Sequence, residues 1–177
     1  MKFRRGTIEG LWVVELEKHQ DDRGYFARTW CQEEFRAQGL NPSLAQCSTS
    51  FNRKMGTLRG MHWQEAPHAE AKLIRCTRGA IYDMALDLRP DSATFKQWMA
   101  IKLTADGHEM FYIGEGFAHG FLTLADETEV FYQMSESFHP ESARGLRWND
   151  PAFRMAWPET PERIISERDA NYPDFHA

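Results

Sequence analysis

The segment Ala80–Leu88 constrains the fold more than any other stretch. Ala80, Tyr82, Met84, Leu86 and Leu88 fall on one side of an extended chain, while Asp83, Asp87 and Arg89 fall on the other or at its end. This period of two belongs to an antiparallel strand with one apolar and one wetter face. Short apolar or alternating runs recur at Leu11–Leu16, Ala71–Cys76, Trp98–Leu103, Glu109–Ile113, Ala118–Leu124 and Glu129–Met134. Gly, Asp, Asn and Pro separate them. Only Gln32–Gln38 and Ser166–Asp169 suggest helices, both short. Many short strands broken by turn residues predict an all-β sandwich, jelly roll or barrel. With no repeat, low-complexity block or linker, residues 1–177 read as a single domain.

A chain of 177 residues can bury a sufficient core without disulfides or metal. The net charge of -5 comes from 21 basic and 26 acidic residues, and this argues against nucleic-acid binding, which needs a basic footprint. A local arginine cluster can still hold an anionic substrate. No stretch approaches the roughly 20 apolar residues of a membrane span. After Met-Lys-Phe-Arg-Arg, Gly6–Glu9 interrupts where an export signal would need an apolar run. Cys31, Cys47 and Cys76 are an odd set without a CxxC and read as reduced thiols of a cytoplasmic protein. The six tryptophans suit packed sheets or a site that grips rings and sugars.

Two histidines stand in glycine-bracketed strand sequence, in Leu58-Arg59-Gly60-Met61-His62-Trp63-Gln64 and in Gly116-Phe117-Ala118-His119-Gly120-Phe121. Glycine inside a strand often marks a close approach of backbone or ligand. A metal site of the kind small double-sheet proteins build would pair His62 with a second histidine at position 64, which is Gln64. Glu70 and His119, with His68 nearby, leave the donor set one short, so no metal is assigned. The remaining groups read as proton chemistry. His62 suits a general base, the task for which histidine is used more often than any other side chain. Lys72 shares a face with Ile74 and Cys76, either guarding an edge or aiming a cation into a cavity. Tyr132 shares a face with Val130 and Met134 and points inward, to complete a core hydrogen bond or to act as an acid. Arg23 and Arg59, each followed by glycine, can clamp phosphate or form surface ion pairs.

These stretches together resemble the dTDP-4-dehydrorhamnose 3,5-epimerase family. The resemblance runs in order through Asp22-Arg23-Gly24-Tyr25-Phe26, the two histidine motifs, Lys72-Leu73-Ile74-Arg75, Asp87-Leu88-Arg89 with Ser92, Tyr132, Trp148-Asn149-Asp150-Pro151, Trp157-Pro158 and Ser166-Glu167-Arg168-Asp169. It implies a cupin-like jelly-roll β barrel with a few short helices, acting as a homodimer without cofactor. It further implies His62 as base paired with Asp169, Tyr132 as acid on the opposite sugar face, and Lys72 and His119 near the keto oxygen. Arg23, Phe26, Arg28, Gln46, Ser48, Arg59 and Phe138 form the implied substrate-binding set, with part of each site supplied by the partner subunit. The implied substrate is a nucleotide-diphosphate 4-keto-6-deoxysugar inverted at C3, C5 or both.

The chain departs from the family at Arg28, usually acidic, at Ser48, usually asparagine, at Ser137, where many members carry aromatics before Phe138, and at Gly114, usually proline. Three of these lie toward the nucleotide end. A changed nucleotide, inversion at one carbon only, and compensation by neighbours are all compatible with them. Other readings are a 3-epimerase or 3,4-ketoisomerase on a different nucleotide sugar, a non-catalytic sugar-nucleotide-binding module, and a metal-dependent oxygenase. Retention of Tyr132 favours full inversion, and the matched base and acid disfavour a pure binder. Period-2 counting places Arg59 on the opposite strand face from His62.

Overall fold

The computed structural model describes residues 1–175, with thirteen strands and two short helices, and eleven of the strands form two facing antiparallel sheets. The first sheet has the order β1 (Lys2–Arg5), β2 (Leu11–Glu15), β10 (Met110–Ile113), β7 (Lys72–Arg78), β12 (Thr128–Met134) and β5 (Gln46–Asn52). The second runs β13 (Ala143–Gly145), β6 (Leu58–Gln64), β11 (Phe117–Thr123), β8 (Ala80–Asp87) and β9 (Trp98–Thr104). A separate hairpin joins β3 (His19–Asp21) to β4 (Gly24–Phe26). This is the predicted all-β jelly roll.

Between the sheets, Ile74, Cys76, Phe111, Ile113 and Val130 from the first meet Ile81, Ala85, Leu103, Phe117 and Phe121 from the second. Each fully buried aliphatic or phenyl side chain contributes about 1.5–3 kcal/mol. The outer face of the first sheet is also covered. There α1 (Gln32–Ala37) is too short to hold itself as a helix. It is pinned by Phe35, whose ring meets Phe3 and Tyr112 edge to face at 5.4 and 5.8 Å.

The expected wet face of β8 is not wet. Asp83 and Asp87 are fully buried, together with Ile81 and Ala85, because that face lines the barrel interior. The face carrying Tyr82, Met84 and Leu86 points outward, and the chain after β13 returns over it with Leu146, Phe153 and Trp157. Period-2 counting separated the two faces correctly and assigned them in reverse, since it cannot see a later segment covering the outside.

The returning segment is anchored by its polar residues. Buried Asp150 accepts the Phe175 amide at 2.7 Å, Trp157 Nε1 donates to the Trp148 carbonyl at 2.8 Å, and Ile164 bridges to Thr57 beside β6. At the end of β8, Asp87 accepts from Arg89, Ser92 and Thr94. Burial disfavours its charge, but these donors outweigh burial and hold its carboxyl down at about 2.

Candidate active site

A cavity of about 380 Å³ opens between the sheets, walled by β5, β7 and β12 on one side and by β6 and β11 on the other. His62, Lys72, His119, Tyr132 and Asp169 all line it, as do Gln46, Ser48, Arg59 and Phe138.

His62 Nε2 lies 2.7 Å from Asp169 Oδ1, and the Gly60 amide donates to Asp169 Oδ2 at 3.3 Å. Asp169 sits in the first turn of α2 (Glu167–Ala170), where Ser166 caps the helix by accepting the Asp169 amide. The cap turns the carboxylate inward toward a histidine 107 residues earlier in the chain. Burial disfavours the Asp169 charge, yet the hydrogen bond and charge of His62 and the Gly60 N–H prevail and hold the carboxyl below its ordinary range.

The second dyad was not foreseen. His119, 5% exposed, places Nε2 2.7 Å from Oδ1 of fully buried Asp83. Asp83 Oδ2 has no hydrogen-bond partner among the described residues. Burial pushes this carboxyl upward, opposed by the His119 ring and by Lys72. Only the reversed reading of β8 hid Asp83, which occupies an inward position of that strand.

Lys72 Nζ pairs with Glu70 at 3.0 Å and donates to the His62 carbonyl at 3.2 Å, with both ion-pair side chains nearly buried. It aims into the cavity and is not an edge guard. The Tyr132 ring lies edge-on to His119 at 6.1 Å. Its hydroxyl is driven far above the ordinary tyrosine range, first by burial and then by the Asp83 charge, so it is protonated at neutral pH. Arg144 and Arg168 also line the cavity and had not been singled out. Arg168 stood unremarked inside the quoted Ser166–Asp169 stretch.

Arg59 corrects a second expectation. His119 pairs with His62 and Phe121 with Arg59, so three steps along β6 match two along β11. This bulge, with Gly60 at φ +116°, turns Arg59 to the same side as His62, and both line one cavity. Buried Asn52 accepts from Arg59 Nε at 2.8 Å and orients the guanidinium.

Three residues of the implied substrate-binding set lie elsewhere. Arg23, with a side chain 90% exposed, pairs with Asp21 of its own hairpin. Phe26 is 76% exposed, and Arg28 pairs with Glu34 at 2.7 Å. None lines the cavity of its own chain.

The metal set considered from sequence is not assembled. His62 engages Asp169, His119 engages Asp83, and Glu70 engages Lys72. Gln64 binds backbone: its amide donates to the His68 and Ser137 carbonyls and accepts from the His139 N–H.

A family model described as dTDP-4-dehydrorhamnose 3,5-epimerase matches residues 5–177. The chain belongs to this family. It is an isomerase of the sugar-nucleotide epimerase type. It is 40% identical to the dTDP-4-dehydrorhamnose 3,5-epimerase of Methanothermobacter thermautotrophicus, covering 97% of this chain and 92% of that protein. The crystal structure of the Bacillus anthracis dTDP-4-dehydrorhamnose 3,5-epimerase, with TDP and pyrophosphate bound, superposes with a TM-score of 0.93 at 37% identity, over 98% of this chain and 99% of that one. A 3'-monoepimerase from Streptomyces bikiniensis, in complex with dTDP-quinovose, superposes with a TM-score of 0.88 at 32% identity, over 97% and 86%. The solved structures that this chain resembles thus include a 3'-monoepimerase as well as 3,5-epimerases. No helix among the described residues is long and apolar enough to cross a membrane.

Proposed function

We propose that this epimerase-family protein inverts C3 and C5 of a dTDP-linked 4-keto-6-deoxyhexose, in a reducing compartment such as the cytoplasm. The observation that carries this reading is the placement of base and acid on opposite sheets. His62 projects from β6 of the second sheet, and Tyr132 projects from β12 of the first, into one cavity.

The C4 ketone acidifies the hydrogens on C3 and C5. Neutral His62 Nδ1 takes one of them while Nε2–H donates to Asp169. The ionised Asp169 fixes this tautomer and stabilises the imidazolium that forms, as the aspartate of a catalytic triad does. Electrons left on carbon move to O4 as an enolate. Lys72 supplies a cation and the His119–Asp83 pair a proton donor near that oxygen, and loss of one such donor typically costs about 100- to 1,000-fold. Protonated Tyr132 then delivers its proton to carbon from the other face, which completes inversion. No net electron transfer occurs, so the reaction needs no redox cofactor. Arg59, Arg144 and Arg168 provide positive charge for the diphosphate, and Phe138 at the mouth offers a ring for the base.

The protein acts as a homodimer in this reading. The β3–β4 hairpin holds Arg23 and Phe26 exposed and away from their own cavity, which suits contribution to a partner's site.

The test is NMR in deuterated water with dTDP-4-keto-6-deoxy-D-glucose. Deuterium enters C3 and C5, and His62→Ala abolishes both exchanges. Tyr132→Phe retains deuterium exchange but loses inverted product, since His62 still makes the enolate. Exchange at C3 alone would make the protein a 3-epimerase, and no exchange would overturn the substrate assignment.

A further inference from the structure

We propose that His68, Glu136 and His139 form a binding site for a borderline divalent cation such as Zn²⁺, outside the catalytic cavity. One ligand atom from each residue lies within 4.8 Å of the other two. The set is two imidazoles and a carboxylate, the donor chemistry of open zinc sites that keep a fourth position for water.

The imidazoles of His68 and His139 stack with centroids 3.5 Å apart and planes 6° from parallel. His139 Nδ1 lies 3.1 Å from Glu141 Oε1, and its Nε2 lies 3.9 Å from Glu136 Oε1. The Glu141 carboxylate thus acts as the outer partner that metal-binding histidines commonly have, fixing the proton on Nδ1 and leaving Nε2 free to ligate. Ligands on a tetrahedral zinc at about 2.0–2.1 Å stand roughly 3.3 Å apart. Parallel rings converge on such a point by rotation about χ2, a soft torsion for half-exposed imidazoles.

The backbone beneath these donors is already fixed. Gln64, 3% exposed, ties both loops together, donating to the His68 carbonyl at 3.0 Å and the Ser137 carbonyl at 3.1 Å, and accepting from the His139 amide at 2.6 Å. Only side-chain rotation is left for the cation to order, which lowers the entropy lost on binding. Segment 136–139 also carries Phe138, which lines the cavity mouth. A cation bridging His68 to this segment therefore clamps one lip of the active site.

The experiment is calorimetric titration of tag-free, chelator-treated full-length protein with Zn²⁺ at neutral pH, alongside thermal melting. One equivalent binds in the micromolar range and raises the melting temperature, as a ligand specific to the native state must. His68→Asn, His139→Asn and Glu136→Gln each weaken binding by at least about tenfold and abolish the thermal shift, with zinc-free melting unchanged. Glu136→Gln is isosteric and keeps the test valid should either histidine variant fold poorly. His62→Asn leaves zinc binding intact. Absence of saturable binding, or equal affinity in the three ligand variants, would overturn the proposal.

Discussion

Gly60→Ala tests whether the β6 bulge is what gathers Arg59 and His62 into one cavity. A Cβ at this position would stand 2.5 Å from the Gly120 Cα and 2.7 Å from the His119 carbonyl oxygen. Both are backbone atoms of β11, so neither can swing away, and the strands must part. The φ of +116° is closed to L side chains and adds strain of about 1–3 kcal/mol. Overpacking against β11 adds about 1–3 kcal/mol more. The substitution should cost about 2–6 kcal/mol, a large share of the roughly 5–15 kcal/mol that holds a domain together. Functionally, parting β6 from β11 separates His62 from His119 and turns Arg59, so kcat falls and KM rises together. Urea unfolding measures the first effect, and steady-state kinetics on the remaining folded protein measures the second. A variant within 1 kcal/mol of the parent by urea unfolding, with kcat and KM within about twofold, would refute the bulge as the organising feature.

Asp169→Asn keeps the shape of the side chain but must turn its amide NH₂ toward either His62 or the Gly60 N–H, both served by carboxylate oxygens now. We expect kcat to fall by roughly 100- to 10,000-fold with KM little changed, measured by initial rates; a loss under tenfold would remove Asp169 from the base dyad. Asp87, held at about 2 in the folded chain, contributes about 2 kcal/mol at neutral pH. Its folded pKa is depressed, so that contribution is complete above the unfolded carboxyl value and is lost as pH falls from about 4 toward 2. Unfolding curves of the parent and Asp87→Asn should therefore converge over this window, and a constant gap down to the bottom of it would contradict the linkage. Cys76 is buried and its thiol is pushed up to about 11 by burial, whereas Cys47 is exposed. Mass spectrometry after brief iodoacetamide treatment of native protein should find Cys47 alkylated and Cys76 spared; equal labelling would show that the barrel opens readily.

The strands readable in the sequence were those whose apolar residues alternate or cluster, such as β7, β8, β11 and β12. Weakly apolar β5, with the sequence Gln-Cys-Ser-Thr-Ser-Phe-Asn, carries no such pattern, because its inward positions line a polar cavity. Alternation puts Asp83 on the wetter face of β8, because it defines two faces without saying which a distant segment will cover. Arg59 was assigned to the wrong side because counting by twos fails at a bulge, although Gly60 marked the place. His62 and Asp169 were joined by family resemblance alone, since nothing local relates residues so far apart. Arg23, Phe26 and Arg28 match the family motif in sequence, but what positions them for a substrate lies outside a single chain.

The return of the chain over the second sheet has a consequence for how activity can be lost. The main barrel core is built from residues between Ile8 and Val130, while Asp169 arrives on a strap held by Trp157, Ile164 and α2. A protease that cuts between β13 and α2 would let the strap peel away without dismantling that core. The nicked protein would remain compact and soluble in a size measurement yet lack the carboxylate behind His62. Intact mass is thus a better index of competence than folded mass, and a preparation can be largely folded and largely silent.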